Sequence, residues 1–454
     1  MVAMAVGAGL VVLAGAPSSA ARSGALPITQ VAALAAVVGP GAPDVVGMLD
    51  AARTALPLAV PAVPALLPLP VAAPAQVPNP RTDWGPSLAV LDAARAAVAA
   101  MSLEELAGQV IVARYSGADP AVPAALVSSW HLAGVILMGE NIVSNDQVRA
   151  TTAAVHAAVQ ADGRSWPAVV TVDEEGGRVS RLRGLIGDLP SFATFGGSGD
   201  DAATQARFAQ LGADLAGLGF TMDFAPVADV TIGAADPTIG DRSASGDPAV
   251  AARTVRAASA GLLQGGTVPV LKHFPGHGSV TSDSHQGLPV QPATQAQLDA
   301  RDLIPFRVAV AVGAPVVMIG HLNLVQIDPG VPSSLSPATY RLLRDSLGFD
   351  GVAVTDALDM GAVNPGAPGE EAVRALVAGA DLLLMPRDVA AASARIVAAV
   401  QAGTLPVERL QEAATRVAGR APPGGRYPRG RPADVDRRAP RVISGTPARA
   451  ASRG

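Results

Sequence analysis

GVAVTDALDM, residues 351–360, is a run of small and branched apolar side chains that stops on a carboxylate, Asp356. It does not alternate apolar with polar, as a strand with one wet face would. A short continuous apolar run suits a parallel strand covered on both faces. The same signature recurs in QVIVAR (109–114), GVILM (134–138), AVVTVD (168–173), TMDFAP (221–226), PVLKH (269–273), PVVMIGH (315–321) and DLLLM (381–385). Between these runs lie stretches of helical spacing such as ATQARFAQLGADLAGLG (203–219), which ends at glycine. Ser102 and Glu105 have the spacing of a capping box at the entry to an early helix. Eight strand–helix alternations between residues 84 and 420 predict an α/β fold, a single (β/α)8 TIM-like barrel. The rival, an open doubly wound sheet, would bring a glycine-rich dinucleotide loop after the first strand. QVIVARYSGADP (109–120) lacks one.

The chain has 454 residues, of which 49% are hydrophobic and 16% charged, enough apolar matter for a large core. At roughly 100–200 residues per domain this length allows several domains, but one barrel can take 250 or more. A net charge of -5 gives no overall basic field for nucleic acid. With 0 cysteines, thiol catalysis, disulfides, Cys-ligated zinc and a lipid-anchored N-terminal Cys are all excluded. The 33 basic residues include a single lysine, Lys272. In a chain so rich in arginine, a lone ammonium is either a chance survivor or a group kept because guanidinium cannot replace it.

The ends read differently from the middle. Residues 1–20 form an apolar stretch of signal-peptide length closing on Ser18-Ser19-Ala20, although a basic start is missing. Residues 21–83 are an Ala/Pro-rich linker, with eight prolines between 51 and 80. Residues 421–454 carry eight arginines against two aspartates among prolines and glycines, the composition of a disordered tail. The expectation is an exported protein, extracellular or wall-associated, without a membrane span and monomeric.

Polar residues gather at the C-terminal ends of the apolar runs: Asp173, Lys272, His273, His321 and Asp356. Barrel active sites are built there, because the βα loops converge at that face. The densest stretch is LKHFPGHGSVTSDSHQGLP (271–289), with His273, His277, His285, Lys272 and Asp283 on what its Pro and Gly residues make a loop. Three readings stay open on these residues alone. His285 is a general acid/base oriented by Asp283; or His273, His277, Asp283 and His285 hold a metal; or the histidines only tie the loop down. Asp356 is suited to nucleophile, base or metal ligand. Asp359 reads as a cap for the next helix. In DEEGGRVSR (173–181), Asp173 with an arginine can clamp vicinal hydroxyls or an amide. Glu175 and Arg178 read as a surface ion pair. Asp241 and Arg242 form a polar loop of unassigned role. Aromatics are 3%, and Trp84, Trp130 and Trp166 are the only tryptophans, which favours a short pocket over a long polysaccharide cleft.

KHFPGHG (272–278), four residues and then DSH (283–285) resemble the signature of bacterial family 3 glycoside hydrolases of the β-N-acetylglucosaminidase type. VDEEGGRVSRL, DFAPVADV, IGDRS, SSLSP, GVAVTDAL and ALVAGADLLLM follow in family order over about residues 100–400. The resemblance implies a barrel without a second sandwich domain. It implies Asp356 as nucleophile, His285 as acid/base oriented by Asp283, and Asp173, Arg181, Arg242, Lys272 and His273 as ligands of the sugar. Where family members often have a second aspartate after the nucleophile, this chain has Ala357. The implied activity is exo-acting, retaining removal of terminal N-acetyl-β-D-glucosamine from peptidoglycan fragments, with no metal or organic cofactor and a carbohydrate as the only partner. A phosphorylase on the same site, a metal-dependent barrel hydrolase and a catalytically silent wall-binding protein are the alternatives.

Overall fold

The computed structural model describes residues 85–363 and 366–420. The expected signal peptide, linker and arginine-rich tail, and Trp84, lie outside the described residues. All eight apolar runs contain strands: β1 (Ile111–Ala113), β2 (Gly134–Ile136), β3 (Val169–Val172), β4 (Met222–Asp223), β5 (Val268–Phe274), β6 (Val316–Ile319), β7 (Val352–Thr355) and β8 (Leu383–Leu384). Each is parallel to its neighbour in sequence, from Val112 beside Gly134 to Val352 beside Val316. β8 pairs with β1 through Ile111 and Leu383. The ring closes where Val354 bridges Leu382 and the Thr355 N–H donates to the Leu382 carbonyl at 3.0 Å.

Helices connect the strands on the outside, among them α1 (Ala121–Trp130), α2 (Asn145–Ala161), α3 (Asp201–Gly217), α4 (Pro248–Gly265), α5 (Ile304–Ala311), α6 (Pro337–Arg341), α7 (Glu370–Ala378) and α8 (Val389–Gln401). The capping box expected at Ser102 is present: Glu105 N–H donates to Ser102 Oγ at 3.2 Å, and Ser102 N–H to Glu105 Oε2 at 2.7 Å. Among the described residues no helix is long and apolar enough to cross a membrane.

The unbroken apolar runs have a structural reason. Val316, Met318, Val352, Val354, Val268 and Val270 fill the barrel interior, while Val317, Ile319, Ala353 and Leu271 face the helices. Both faces of each strand are covered, so both must be apolar. Side chains on a strand alternate with period two. The inward series Val169–Thr171, Val270 and Val352–Val354 therefore continues into Asp173, Lys272 and Asp356 at the barrel mouth.

The opposite end is stapled by charge. Asp381, fully buried just before β8, accepts from Arg344 at 2.5 Å, Arg409 at 2.8 Å, Arg416 at 3.2 Å and the Ala353 N–H at 3.0 Å. Burial raises the proton affinity of its carboxyl, but the three guanidiniums outweigh burial and bring its pKa down to about 2. A depressed carboxylate adds stability above its unfolded pKa of about 3.9, and that stability is lost as pH falls through the folded value. Asp381→Asn leaves three arginines without their buried anion and is expected to destabilise by on the order of 3 kcal/mol at pH 7. In urea unfolding, the gap between wild type and variant should narrow as pH falls from about 4 toward 2. A gap independent of pH would show that Asp381 is not the linked group.

Candidate active site

The strand ends and the loops above them enclose a cavity of about 330 Å3, at the small end of ligand sites. Seven of the eight expected site residues line it: Asp173, Arg181, Arg242, Lys272, His273, His285 and Asp356. Asp283 stands behind His285. Among the described residues no Phe, Tyr or Trp lines it. Its apolar lining is supplied by residues that include Ile136, Met138, Met318, Met360, Leu384 and Met385.

The polar wall is organised by Glu175. Its buried carboxylate takes Lys272 Nζ at 2.6 Å and both Nε and Nη2 of Arg242 at 2.8 Å. Lys272 Nζ also donates to Asp173 Oδ1 at 2.7 Å. Burial raises the proton affinity of Glu175, yet Lys272 and Arg242 hold its carboxyl far below the usual carboxylate range. Burial disfavours the Lys272 ammonium, and Asp173 and Glu175 more than restore it. The lone lysine is thus a locked cation. The reading of Glu175 as a surface ion pair is corrected: β3 runs on into a short hairpin, Glu174–Gly176 with Val179–Ser180, that turns Glu175 inward. Arg178 does form a surface pair, with Asp241 at 3.2 Å and both about half exposed. Arg181 brings a buried Nε without a hydrogen-bond partner among the described residues to the same wall.

His273 ends β5. Its Nδ1 lies 2.7 Å from Oδ2 of buried Asp229, which also accepts the backbone N–H groups of His273 at 3.2 Å and His277 at 2.6 Å. Asp229 fixes which nitrogen of His273 is left for the cavity. Asp356 sits where β7 ends, accepting the Ala357 N–H at 2.8 Å. Burial raises its proton affinity, but His273, His321, that N–H and Lys272 outweigh burial and keep the carboxyl below its usual range. The group is an anion, the state a nucleophile needs. His321, itself buried, is held by Ser334 Oγ at 2.7 Å and the Ala357 carbonyl at 2.9 Å.

Asp283 and His285 sit on the loop after β5. Asp283 Oδ1 accepts the His285 N–H at 2.9 Å and lies 2.7 Å from Nδ1, which leaves Nε2 free. The His285 side chain is 65% exposed at the cavity mouth, reachable by an incoming ligand. Burial pushes the Asp283 carboxyl up, while the His285 N–H and ring together outweigh this and lower it. Of the four residues of the metal reading, His273 turns to Asp229, His277 to Ser284, and Asp283 and His285 to each other. Among the described residues no group of three or more His, Asp or Glu is placed to hold a metal ion.

Asp359 does not cap a helix, because α7 starts only at Glu370. It lines the cavity and pairs with Arg114 at 3.1 Å, so that reading is also corrected. Glu175, Asp229 and the apolar lining were not singled out from sequence. For Glu175 a signal existed: it stands two residues beyond Asp173 and so shares its face.

A barrel that gathers a buried carboxylate, a His–Asp pair and a charged sugar-sized wall at its strand ends has the build of a glycoside hydrolase. The glycosyl hydrolase family 3 N terminal domain matches residues 102–419. Beta-hexosaminidase LpqI from Mycobacterium tuberculosis is 39% identical over 319 residues, covering 66% of this chain and 78% of LpqI. The solved family 3 beta-N-acetylglucosaminidase from Paenibacillus sp. str. FPU-7 superposes with a TM-score of 0.68 at 33% identity, over 70% of this chain and 62% of that one. Beta-N-acetylhexosaminidase from Beutenbergia cavernae gives 0.65 at 34% identity, over 70% and 97%. The chain belongs to glycosyl hydrolase family 3 and is a glycoside hydrolase of the β-N-acetylhexosaminidase kind.

Proposed function

We propose that this chain is an exported, exo-acting, retaining β-N-acetylglucosaminidase that removes terminal non-reducing N-acetyl-β-D-glucosamine from peptidoglycan fragments. The observation that carries the reading is the pairing of an ionised carboxylate on the cavity floor, Asp356, with a His–Asp pair at its mouth, His285 and Asp283. Asp356 attacks the anomeric carbon while His285 Nε2–H protonates the departing oxygen. The anomeric carbon–oxygen bond breaks, and a glycosyl-Asp356 ester forms. His285, now neutral, takes a proton from water, which attacks the same carbon and releases the sugar with β configuration retained. Asp283 holds the imidazole and stabilises its charged form. Asp173, Arg181, Arg242, Lys272 and His273 bind the sugar hydroxyls and acetamide. The small cavity, with no aromatic platform among the described residues, supports one terminal residue over a chain lying along a cleft, and an imidazole acid/base itself adds no negative charge beside an acidic muropeptide.

The test is release of 4-nitrophenol from its N-acetyl-β-D-glucosaminide, with the β-glucoside in parallel, and with EDTA or phosphate added. Release from the N-acetyl substrate alone, unchanged by EDTA and giving free sugar in phosphate, is expected. Loss with EDTA restored by zinc would favour the metal reading, and sugar 1-phosphate would mark a phosphorylase. Muropeptide binding without any sugar release would leave a wall-binding protein.

A further inference from the structure

In the stretch 281–288, every residue is exposed or partly exposed except Ser284, which is 2% exposed. It lies between Asp283 and His285 in sequence and lines the cavity with His285. Ser284 Oγ lies 2.9 Å from Nε2 of His277, a buried ring that edges onto His273 with centroids 5.8 Å apart. The His277 backbone is held in turn by Asp229. The Ser284 carbonyl accepts the Ala362 N–H at 3.1 Å, and the His285 carbonyl accepts that of Gly361 at 3.3 Å. The loop is thus pinned on one side to the end of β5 and on the other to the segment after Asp356. Gly361 makes the second contact possible: a Cβ there would stand 2.7 Å from the His285 carbonyl oxygen.

We infer that Ser284 is a positioning residue whose bond to His277 sets the exposed His285 over the cavity, in register with Asp356. The inference rests on His285 being the general acid. Asp283 orients the ring within its loop, but a pair that moves together does not fix its own distance from the substrate. The buried hydroxyl supplies that second coordinate. The loop otherwise offers few buried contacts, so without Ser284 it samples positions from which Nε2 misses the leaving oxygen.

The experiment compares kcat/KM for wild type, Ser284→Ala, Ser284→Thr, Gly361→Ala and His285→Ala on two substrates. One is the 4-nitrophenyl glycoside, whose leaving group needs little protonation; the other is N,N'-diacetylchitobiose, whose leaving group needs much. Ser284→Ala is expected to lose roughly ten- to hundredfold on the disaccharide and little on the aryl glycoside. Gly361→Ala should show the same bias, and Ser284→Thr, which keeps the hydroxyl, should return toward wild type. Equal losses on both substrates, or none, would overturn the inference, because a merely structural role does not track the leaving group. If His285→Ala shows no bias, the acid role itself falls and the positioning role with it. Bias in His285→Ala but not in Ser284→Ala or Gly361→Ala rejects Ser284 alone.

Discussion

Asp356→Asn lowers turnover by at least about a thousandfold while the barrel stays folded. The amide is nearly isosteric and can still accept the Ala357 N–H that Asp356 Oδ1 accepts at 2.8 Å. It cannot form the glycosyl ester, because a neutral amide is a poor nucleophile. His273, His321 and Lys272 hold the wild-type carboxyl below its usual range, so in the proposed mechanism the attacking group is ionised across the neutral pH range. In the proposed site the sugar is bound by the Glu175-centred wall and not by that charge. The variant should still bind N-acetylglucosamine in calorimetry and melt near the wild-type temperature. Turnover close to wild type would remove Asp356 as nucleophile; loss of both binding and folding would make it a structural group.

His285→Ala separates the two half-reactions. Formation of the glycosyl-enzyme from the disaccharide should slow by about 100- to 10,000-fold, the range of positioned general acids. From the nitrophenyl glycoside it should hardly slow, since nitrophenolate leaves without help. Hydrolysis of the ester loses its base in either case. The aryl substrate should therefore give a burst of nitrophenol followed by a slow steady state. The His285 side chain is 65% exposed, so its removal should leave the melting temperature almost unchanged. Equal slowing of both substrates without a burst would take the acid/base role away from His285.

What was legible in the sequence was whatever the barrel imposes on single strands. GVAVTD and PVVMIGH are apolar throughout because both faces of β7 and β6 are covered, and that pattern survives without coordinates. Asp173, Lys272 and Asp356 could be found because a charge ending such a run has only the barrel mouth to occupy. Relations between distant segments were not legible. Glu175 looked like surface charge beside Arg178 until the hairpin after β3 turned it toward Lys272 and Arg242. Asp229 lies 44 residues before His273 in sequence and 2.7 Å from it in space. Asp359 has the look of a helix cap, but the long connection to α7 places it at the cavity rim with Arg114. Ser284 is hidden between two groups with more obvious chemistry. Its burial is a property of how two loops meet and has no signature in DSH.

The most direct test of the proposed mechanism uses His285→Ala, acid-quenched during turnover of the nitrophenyl glycoside and digested for peptide mass analysis. The peptide containing Asp356 is expected to carry one N-acetylhexosamine residue, located on Asp356 by fragmentation and absent once the substrate is exhausted. An unmodified Asp356 peptide during steady turnover, or the sugar on another side chain, would contradict the nucleophilic role of Asp356 and the retaining mechanism built on it.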